Sequence, residues 1–306
     1  MSNSSISLFE DEEIVEIVVM ALLSPICLVL SVAASMVVKR NRLIADLVKF
    51  YVLVDLLNYS LNGVFYLFWA TPTAVWKLND SLPFLDRLFS TLPYIGFYIG
   101  ISAKTFLGLN RCFAIAFDSR FSAKFESTRW FQYLTVALLT CIVIVVSWAI
   151  PGCQPTFVPY PTNVVWFVEG ECRVITDRIF ELMNYIFCPI YIVLDVTAFW
   201  LMRRHFRRNR SNSANSDLKR RQLGMEYRLA AMMLVNMLTS IALWIENLGP
   251  QYLLTANSGF IFYTGLYLID CIFNNFAYLM LLHQGNNVTR VLPQARAPFT
   301  TTLESE

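Results

Sequence analysis

Residues 107–115 read LGLNRCFAI. Arg111 stands at the foot of an apolar run that begins near Leu88 and is otherwise interrupted only by Lys104. A lysine or arginine at the centre of a bilayer costs from about 2.5 to more than 10 kcal/mol. A chain that puts a cation where such a run would leave the membrane therefore needs a use for it, and the rest of the sequence supplies the setting.

The chain has 306 residues, of which 56% are hydrophobic and 15% charged, and 24 are Phe. Soluble chains carry about 25% charged residues, and here the charges are clumped. They leave apolar stretches of about 20 residues or more, long enough to cross a bilayer as helices. Seven such segments are expected: Ile14–Val38, Leu43–Trp69, Leu88–Asn110, Trp130–Ile150, Thr176–Met202, Leu229–Leu248 and Ser258–Leu282. The alternating ten-residue pattern of membrane β-strands is missing. The sequence thus predicts an all-α membrane protein, a seven-helix bundle at residues 14–283, flanked by an extracellular tail at 1–13 and a cytoplasmic tail at 284–306.

Lysine and arginine set the expected orientation. With the N-terminus outside, eighteen of them fall in the inner loops and tail, and only Lys77, Arg87, Arg173 and Arg178 fall outside. The first segment follows FEDEE with no basic stretch before it and reads as an uncleaved anchor. The net charge of +2 says little about partners, because sign is segregated by side of the membrane. The third inner loop, RRHFRRNRSNSANSDLKRRQ, suits anionic headgroups, an intracellular partner, or both.

Among seven cysteines, Cys27, Cys141, Cys188 and Cys271 fall within segments and read as packing residues, and Cys112 faces the reducing side. Cys153 and Cys172 share the second outer loop, on the oxidising side, so they are expected to form a disulfide, with two unpaired loop thiols as the alternative. Asn3 and Asn79 head outer glycosylation sequons, whereas the sequon at Asn287 is expected inside and unmodified.

Ionisable residues inside a bundle face one another or a cavity. Asp55, with Asn58 and Asn62 at helical spacing, lies in the second segment, and Asp270 and Asn274 lie one turn apart in the seventh. Glu181 and Asp195 are in the fifth segment, Glu246 ends the sixth, and Lys104 is two turns from Arg111. Two readings stay open for this set: interhelical hydrogen bonding alone, worth about 0.6–2 kcal/mol per contact, or a functional polar core with a cation- or proton-sensitive carboxylate. Asp55 is expected to face Asn274 across the bundle.

These positions resemble the G-protein-coupled receptors. LNRC at the foot of the third segment resembles the family's Asp/Glu-Arg-Tyr motif, with Arg111 as the arginine, Asn110 for the acid and Cys112 for the tyrosine. NNFAY, residues 274–278, resembles Asn-Pro-x-x-Tyr, keeping Asn274 and Tyr278 but with Asn275 for proline. Pro189 matches the helix-five proline and Asp55 the helix-two aspartate, and Trp244 follows Glu226 by 18 residues, the spacing from the family's ionic-lock acid to its toggle tryptophan. Glu246 stands in place of the family's helix-six proline, and Asp86 lies about where its helix-three cysteine belongs. These departures, the Phe/Tyr content and the GC…CR outer loop resemble the nematode serpentine chemoreceptors, class x most of all.

The resemblance implies a rhodopsin-like bundle in the cell membrane whose partners are a heterotrimeric G protein, a small-molecule ligand and the bilayer. It leaves open whether the chain forms homo- or hetero-oligomers. It implies a switch in which Arg111 pairs with Glu226 at rest and is freed by outward movement of the sixth segment, with Asp55, Asn274 and Tyr278 in the same apparatus. The alternative reading of Arg111 is a snorkelling anchor. By position-matching it nominates Phe97, Tyr98, Glu181, Tyr185, Trp244, Asn247, Tyr263 and Tyr267 as the ligand set, an aromatic cup for a small, largely apolar molecule such as an odorant. Pro93 stands where amine receptors carry their aspartate, which argues against a biogenic amine.

Other classes fit less well. A small-solute transporter or ion channel is the alternative, weakened by the lack of internal repeats and paired broken helices. The two histidines, His205 and His283, both sit at the inner edge, and no Gly-x-Ser-x-Gly occurs, so no enzyme, metal site or cofactor is expected. The last lysine is Lys219, so the seventh segment offers none for a retinal Schiff base. Nothing points to nucleic acid.

Overall fold

The computed structural model describes residues 3–41, 44–116, 125, 127–150, 152–159, 163–167, 171–209, 228, 231–232, 234–235, 237–239, 241 and 260–283. The chain is mostly helical. Helix α1 spans Asn3–Arg40, so the N-terminal residues continue the first apolar segment as helix, and Lys39 and Arg40 complement the negative end of its dipole. Helix α2 spans Asp46–Phe65 and passes through a π turn, Tyr66–Ala70, into α3, Thr71–Trp76. Pro72 causes the wide turn: it has no N–H for the carbonyl four residues back and its ring needs room there. The second apolar segment therefore runs beyond Trp69, as one rod over Asp46–Trp76.

Lys77, at φ 51°, ends α3 in the left-handed region, and a short α4, Leu78–Ser81, leads to α5, Pro83–Ala116, with proline in its first turn. Then come α6, Arg129–Ala149, the strands β1, Pro155–Val158, and β2, Val164–Phe167, and α7, Glu171–Asn209. A second π turn, Ile261–Gly265, precedes α8, Leu266–His283. By length and composition, Glu13–Arg40, Asp46–Trp76 and Arg129–Ala149 can cross a membrane, and Leu266–Leu282 is a shorter apolar helix. Most of the sixth segment, the third inner loop and residues 284–306 lie outside the described residues.

The helices are packed inside out relative to a soluble bundle. On α1, Met20, Ser24, Cys27, Ser31, Ala34 and Val38 are buried at alternating spacings of four and three, while Leu22, Ile26, Val29 and Met36 face outward. Small residues on a heptad-like stripe let backbones approach where no hydrophobic effect drives association. The stripe packs on α2 and α8. On α6 the exposed face is Phe131, Leu134, Leu138 and Val145, and the buried face holds Gln132, Val136 and Ser147. Gln132 accepts from Tyr51 of α2 and donates to the carbonyl of Phe125 at 2.8 Å. At the other end of α6, Arg87 of α5 donates to the carbonyls of Ser147 and Trp148 at 2.6–2.9 Å and lies 4.6 Å from the Trp148 ring. A cation thus satisfies the last carbonyls of that helix.

α5 packs on α2, α6, α7 and β1. Its approach to α2 depends on GFYIG, residues 96–100. A Cβ at Gly96 would lie 2.6 Å from Asn58 Oδ1, and one at Gly100 2.7 Å from Asn58 Nδ2, so the Asn58 amide fits where two side chains are missing. Asn62 Nδ2 donates to the Asn58 carbonyl at 2.9 Å and to its Oδ1 at 3.1 Å, which holds that amide in place. Gly63 does the same service on the opposite face, where a Cβ would meet the Leu28 backbone at 3.3 Å.

Gly63→Ala and Gly100→Ala should each lower stability by about 1–3 kcal/mol through overpacking, although Ala favours helix intrinsically. Asn58→Ala should recover part of the loss in Gly100→Ala and none in Gly63→Ala. Thermal unfolding of purified protein in detergent checks this, and equal rescue of both would refute the steric account.

Candidate functional site

Asp55, Lys104, Asp270 and Asn274, which the sequence scatters over three segments, converge between α2, α5 and α8. Asp55, on α2, is 1% exposed. Its Oδ2 accepts from the Tyr278 hydroxyl of α8 at 2.8 Å, and its Oδ1 lies 3.9 Å from Lys104 Nζ of α5. Lys104 also sits 5.6 Å from the centroid of the Tyr59 ring, a cation–π contact on the side of α2 that carries Asp55. An ammonium and a carboxylate thus answer one another where neither could face lipid.

On α8, Asp270 Oδ1 accepts from Asn274 Nδ2 at 3.0 Å, and Asn274 in turn bonds Thr239 at 3.2 Å. This contact ties α8 to a helical residue of the sixth segment. Asn275 turns the other way and donates to Ser31 Oγ of α1 at 2.9 Å and to the Cys27 carbonyl at 3.3 Å. The partner of Asp55 is therefore Tyr278, one turn beyond the expected Asn274. With a 3.6-residue turn both fall on one helix face, and sequence spacing cannot say which of them lies level with Asp55.

Arg111 lies at the far end of α5 from the hairpin and is 7% exposed. The same face of α5 meets α7 closely. A Cβ at Gly108 would stand 3.1 Å from Leu194 Cβ and 3.6 Å from Asp195 Oδ1, and Cys112 Sγ contacts the Leu194 carbonyl at 3.3 Å. The charges of Arg111 and Asp195 interact across this seam, and Tyr278 is also within electrostatic reach of Arg111. Glu226, the expected partner of Arg111, lies outside the described residues.

Of the nominated ligand residues, Phe97 and Tyr98 are half-buried on α5, with ring centroids 5.5 Å apart. Tyr267 packs against the hydrophobic clusters at both ends of the bundle, and Tyr185 faces outward from α7 at 46% exposure. The side chains of Glu181 and Tyr263 and all of Trp244 and Asn247 lie outside the described residues. Cys153 is disulfide-bonded, whereas Cys27, Cys112, Cys141 and Cys271 are free. The side chains of Cys172 and Cys188 are not among those described. Among the described residues, no three His, Cys, Asp or Glu side chains could share a metal ion.

Sequence reasoning placed Lys104 and Asp55 in one polar set without pairing them. It passed over Gln132 and the glycines at 96 and 100, and it noted Asn275 only as a replacement for proline. The glycines had a readable signal, a G-x-x-x-G within an apolar run. Gln132 had none beyond being an amide in an apolar segment, and the motif around Asn275 did not point to α1 as its partner.

Lys104→Met leaves the Asp55 carboxylate buried beside a methylene chain and should cost about 3–5 kcal/mol. Adding Asp55→Asn removes the orphaned charge and keeps an acceptor for Tyr278, so the double variant should regain most of that loss. Unfolding temperatures of both variants and wild type decide it, and strictly additive losses would mean that the two charges do not depend on each other.

A family model described as serpentine-type 7TM GPCR chemoreceptor Srx matches residues 55–231, more than half of the chain. No curated protein matches it. The matched span begins at Asp55, takes in Lys104, Arg111 and the disulfide-bonded Cys153, and runs into the sixth segment. It is not an enzyme family, and its members are multi-pass proteins of the cell membrane. The chain belongs to the serpentine chemoreceptor family Srx.

Proposed function

We propose that this receptor binds a small, largely apolar molecule between its helices, in the half that carries the hairpin, and signals to a cytoplasmic heterotrimeric G protein by movement of the sixth segment. The observation that carries the reading is Arg111. It is a buried cation at the end of α5 remote from the hairpin, pressed against α7 where Gly108 removes the side chain that would hold the helices apart. A cation so placed is stable only while another element supplies its counter-charge, so motion of that element changes its state. Asp195 acts on Arg111 from α7 across this seam, Glu226 is the proposed resting partner from the sixth segment, and Asp55, Asn274 and Tyr278 link this end to the middle of the bundle. The proposed ligand set is Phe97, Tyr98, Glu181, Tyr185, Trp244, Asn247, Tyr263 and Tyr267. The bundle is assigned to 14–283 with seven N-out spans, and 284–306 to the cytoplasmic tail.

Two features of the outer surface belong to the same reading. Cys153 stands two residues before β1 and Cys172 five residues after β2, so an antiparallel hairpin returns the second cysteine toward the first. Cys188 lies sixteen residues further along α7, about 24 Å of helix. Cys172 is therefore the proposed partner of Cys153, and Asn3 and Asn79 are the proposed glycan sites. Peptide mapping of non-reduced receptor should recover a Cys153–Cys172 cross-link, and a Cys153–Cys188 peptide would displace it.

The switch separates two variants in kind. Glu226→Ala removes a restraint worth about 1–3 kcal/mol and should raise agonist-free G-protein turnover by roughly 5- to 150-fold. Arg111→Ala deletes the group proposed to meet the G protein and should lower turnover below wild type. Basal turnover normalised to surface expression measures both. An unchanged Glu226→Ala with a normally signalling Arg111→Ala would reduce Arg111 to an anchor.

A further inference from the structure

Asp86, in the first turn of α5, is 4% exposed. Its Oδ1 accepts from Trp69 Nε1 at 2.6 Å, from Ser90 Oγ at 3.2 Å and from the backbone N–H of Phe157 at 3.2 Å. Its Oδ2 accepts from the Thr156 hydroxyl. An ionised carboxylate offers about four acceptor sites and no donor, so four donors use it fully. They come from three places: the π turn after α2, α5 itself, and two successive residues of β1. Nothing in the ligand or switch apparatus described above requires this arrangement.

The strand held this way is a stopper. Phe157 is 0% exposed and belongs to one apolar cluster with Met20 of α1, Phe65 and Trp69 of the second rod, and Leu268 of α8. Its ring meets Phe65 edge-on at 6.0 Å. The hairpin has further pins. Asn163 donates from Nδ2 to Glu16 of α1, and its carbonyl accepts from Thr264 at 2.9 Å. Asn163 is left-handed, at φ 44°, a conformation Asn tolerates better than other side chains. Tyr94 of α5 donates to the Val165 carbonyl at 3.4 Å.

We propose that Asp86 is the latch that seats the β1–β2 hairpin as a plug, with Phe157 as its stopper, in the mouth between α1, α2, α5 and α8. The plug closes that mouth to small molecules. The position of Asp86 sets where the hairpin sits, and the apolar cluster beneath sets how deep it goes.

Hydrogen exchange read by mass spectrometry on the full-length receptor in nanodiscs tests the latch without any ligand. Asp86→Ala strands three donors from outside α5, two of them on buried residues, and exchange across residues 155–167 should quicken about 10-fold or more, with α1 and α2 unchanged. Asp86→Asn keeps one acceptor oxygen and should fall between Ala and wild type. Thr156→Val deletes a single donor and preserves shape, so it should fold and quicken hairpin exchange about 3- to 10-fold. The proposal is overturned by wild-type hairpin exchange in Asp86→Ala, or by acceleration shared equally by α1 and α2. If Asp86→Ala does not fold, Thr156→Val decides alone, and wild-type hairpin exchange there overturns the proposal equally.

Discussion

An ammonium and a carboxylate lie 3.9 Å apart between α5 and α2, both inside helices whose outer faces are Leu, Ile, Val and Phe. In a bilayer neither Lys104 nor Asp55 has water to fall back on, and each makes the other affordable. The demand propagates. The carboxylate has a second oxygen, so Tyr278 must come from α8 to fill it. Tyr278 fixes the rotation of α8, which turns Asn274 toward the sixth segment and Asn275 toward α1. One ion pair thereby orders five elements, and the apolar surface between them needs only to be compatible.

The polar order is not spread evenly. Asp55, Asp195 and Asp270 act on Lys104, while Arg111 is paired electrostatically with Asp195 alone among these acids. Among the described residues, the hairpin end has no buried cation of this kind in the apolar cluster around Phe157. It relies on aromatic stacking, such as Trp69 against Phe89 at 5.5 Å, and on two buried carboxylates, Asp86 and Glu16. The two ends therefore differ in what would disturb them. An apolar molecule can compete with aromatic contacts, whereas only a charged group can compete for Arg111.

Much of this was legible in the sequence. Apolar length gave helices at the first five and the seventh segments, and the LNRC stretch lies within the span that matches the receptor family, because composition and spacing survive without coordinates. The second segment runs past Trp69 because the π turn at Tyr66–Ala70 accommodates Pro72 and the helix continues to Trp76. Periodicity gave the faces: Asn58 and Asn62 do share one with Asp55. It could not give the pairings, since the rotation and axial shift of one helix against another depend on side-chain volumes at the seam. The replacement of Asp55–Asn274 by Asp55–Tyr278 is a shift of one turn along α8, and nothing in the spacing of either helix distinguishes the two.

The seam itself explains how α5 serves two neighbours. Gly96, Gly100, Lys104 and Gly108 recur every four residues. With 3.6 residues per turn, each such step turns about 40° around the helix, so the row turns about 120° from first to last. At Gly96 and Gly100 it faces Asn58 of α2, at Lys104 it meets Asp55, and by Gly108 it has come round to Leu194 and Asp195 of α7. Three of the four positions have no side chain, so backbone meets partner with almost no slack, and the fourth carries the charge. Packed interfaces of this kind move as rigid pieces rather than deforming. A displacement of α5 against α2 at the glycine pair must therefore reach α7 through the turn that holds Lys104. The row continues to Cys112, whose Sγ contacts the Leu194 carbonyl at 3.3 Å, and beside it stands Arg111, two turns beyond Lys104 and within about 20° of its direction.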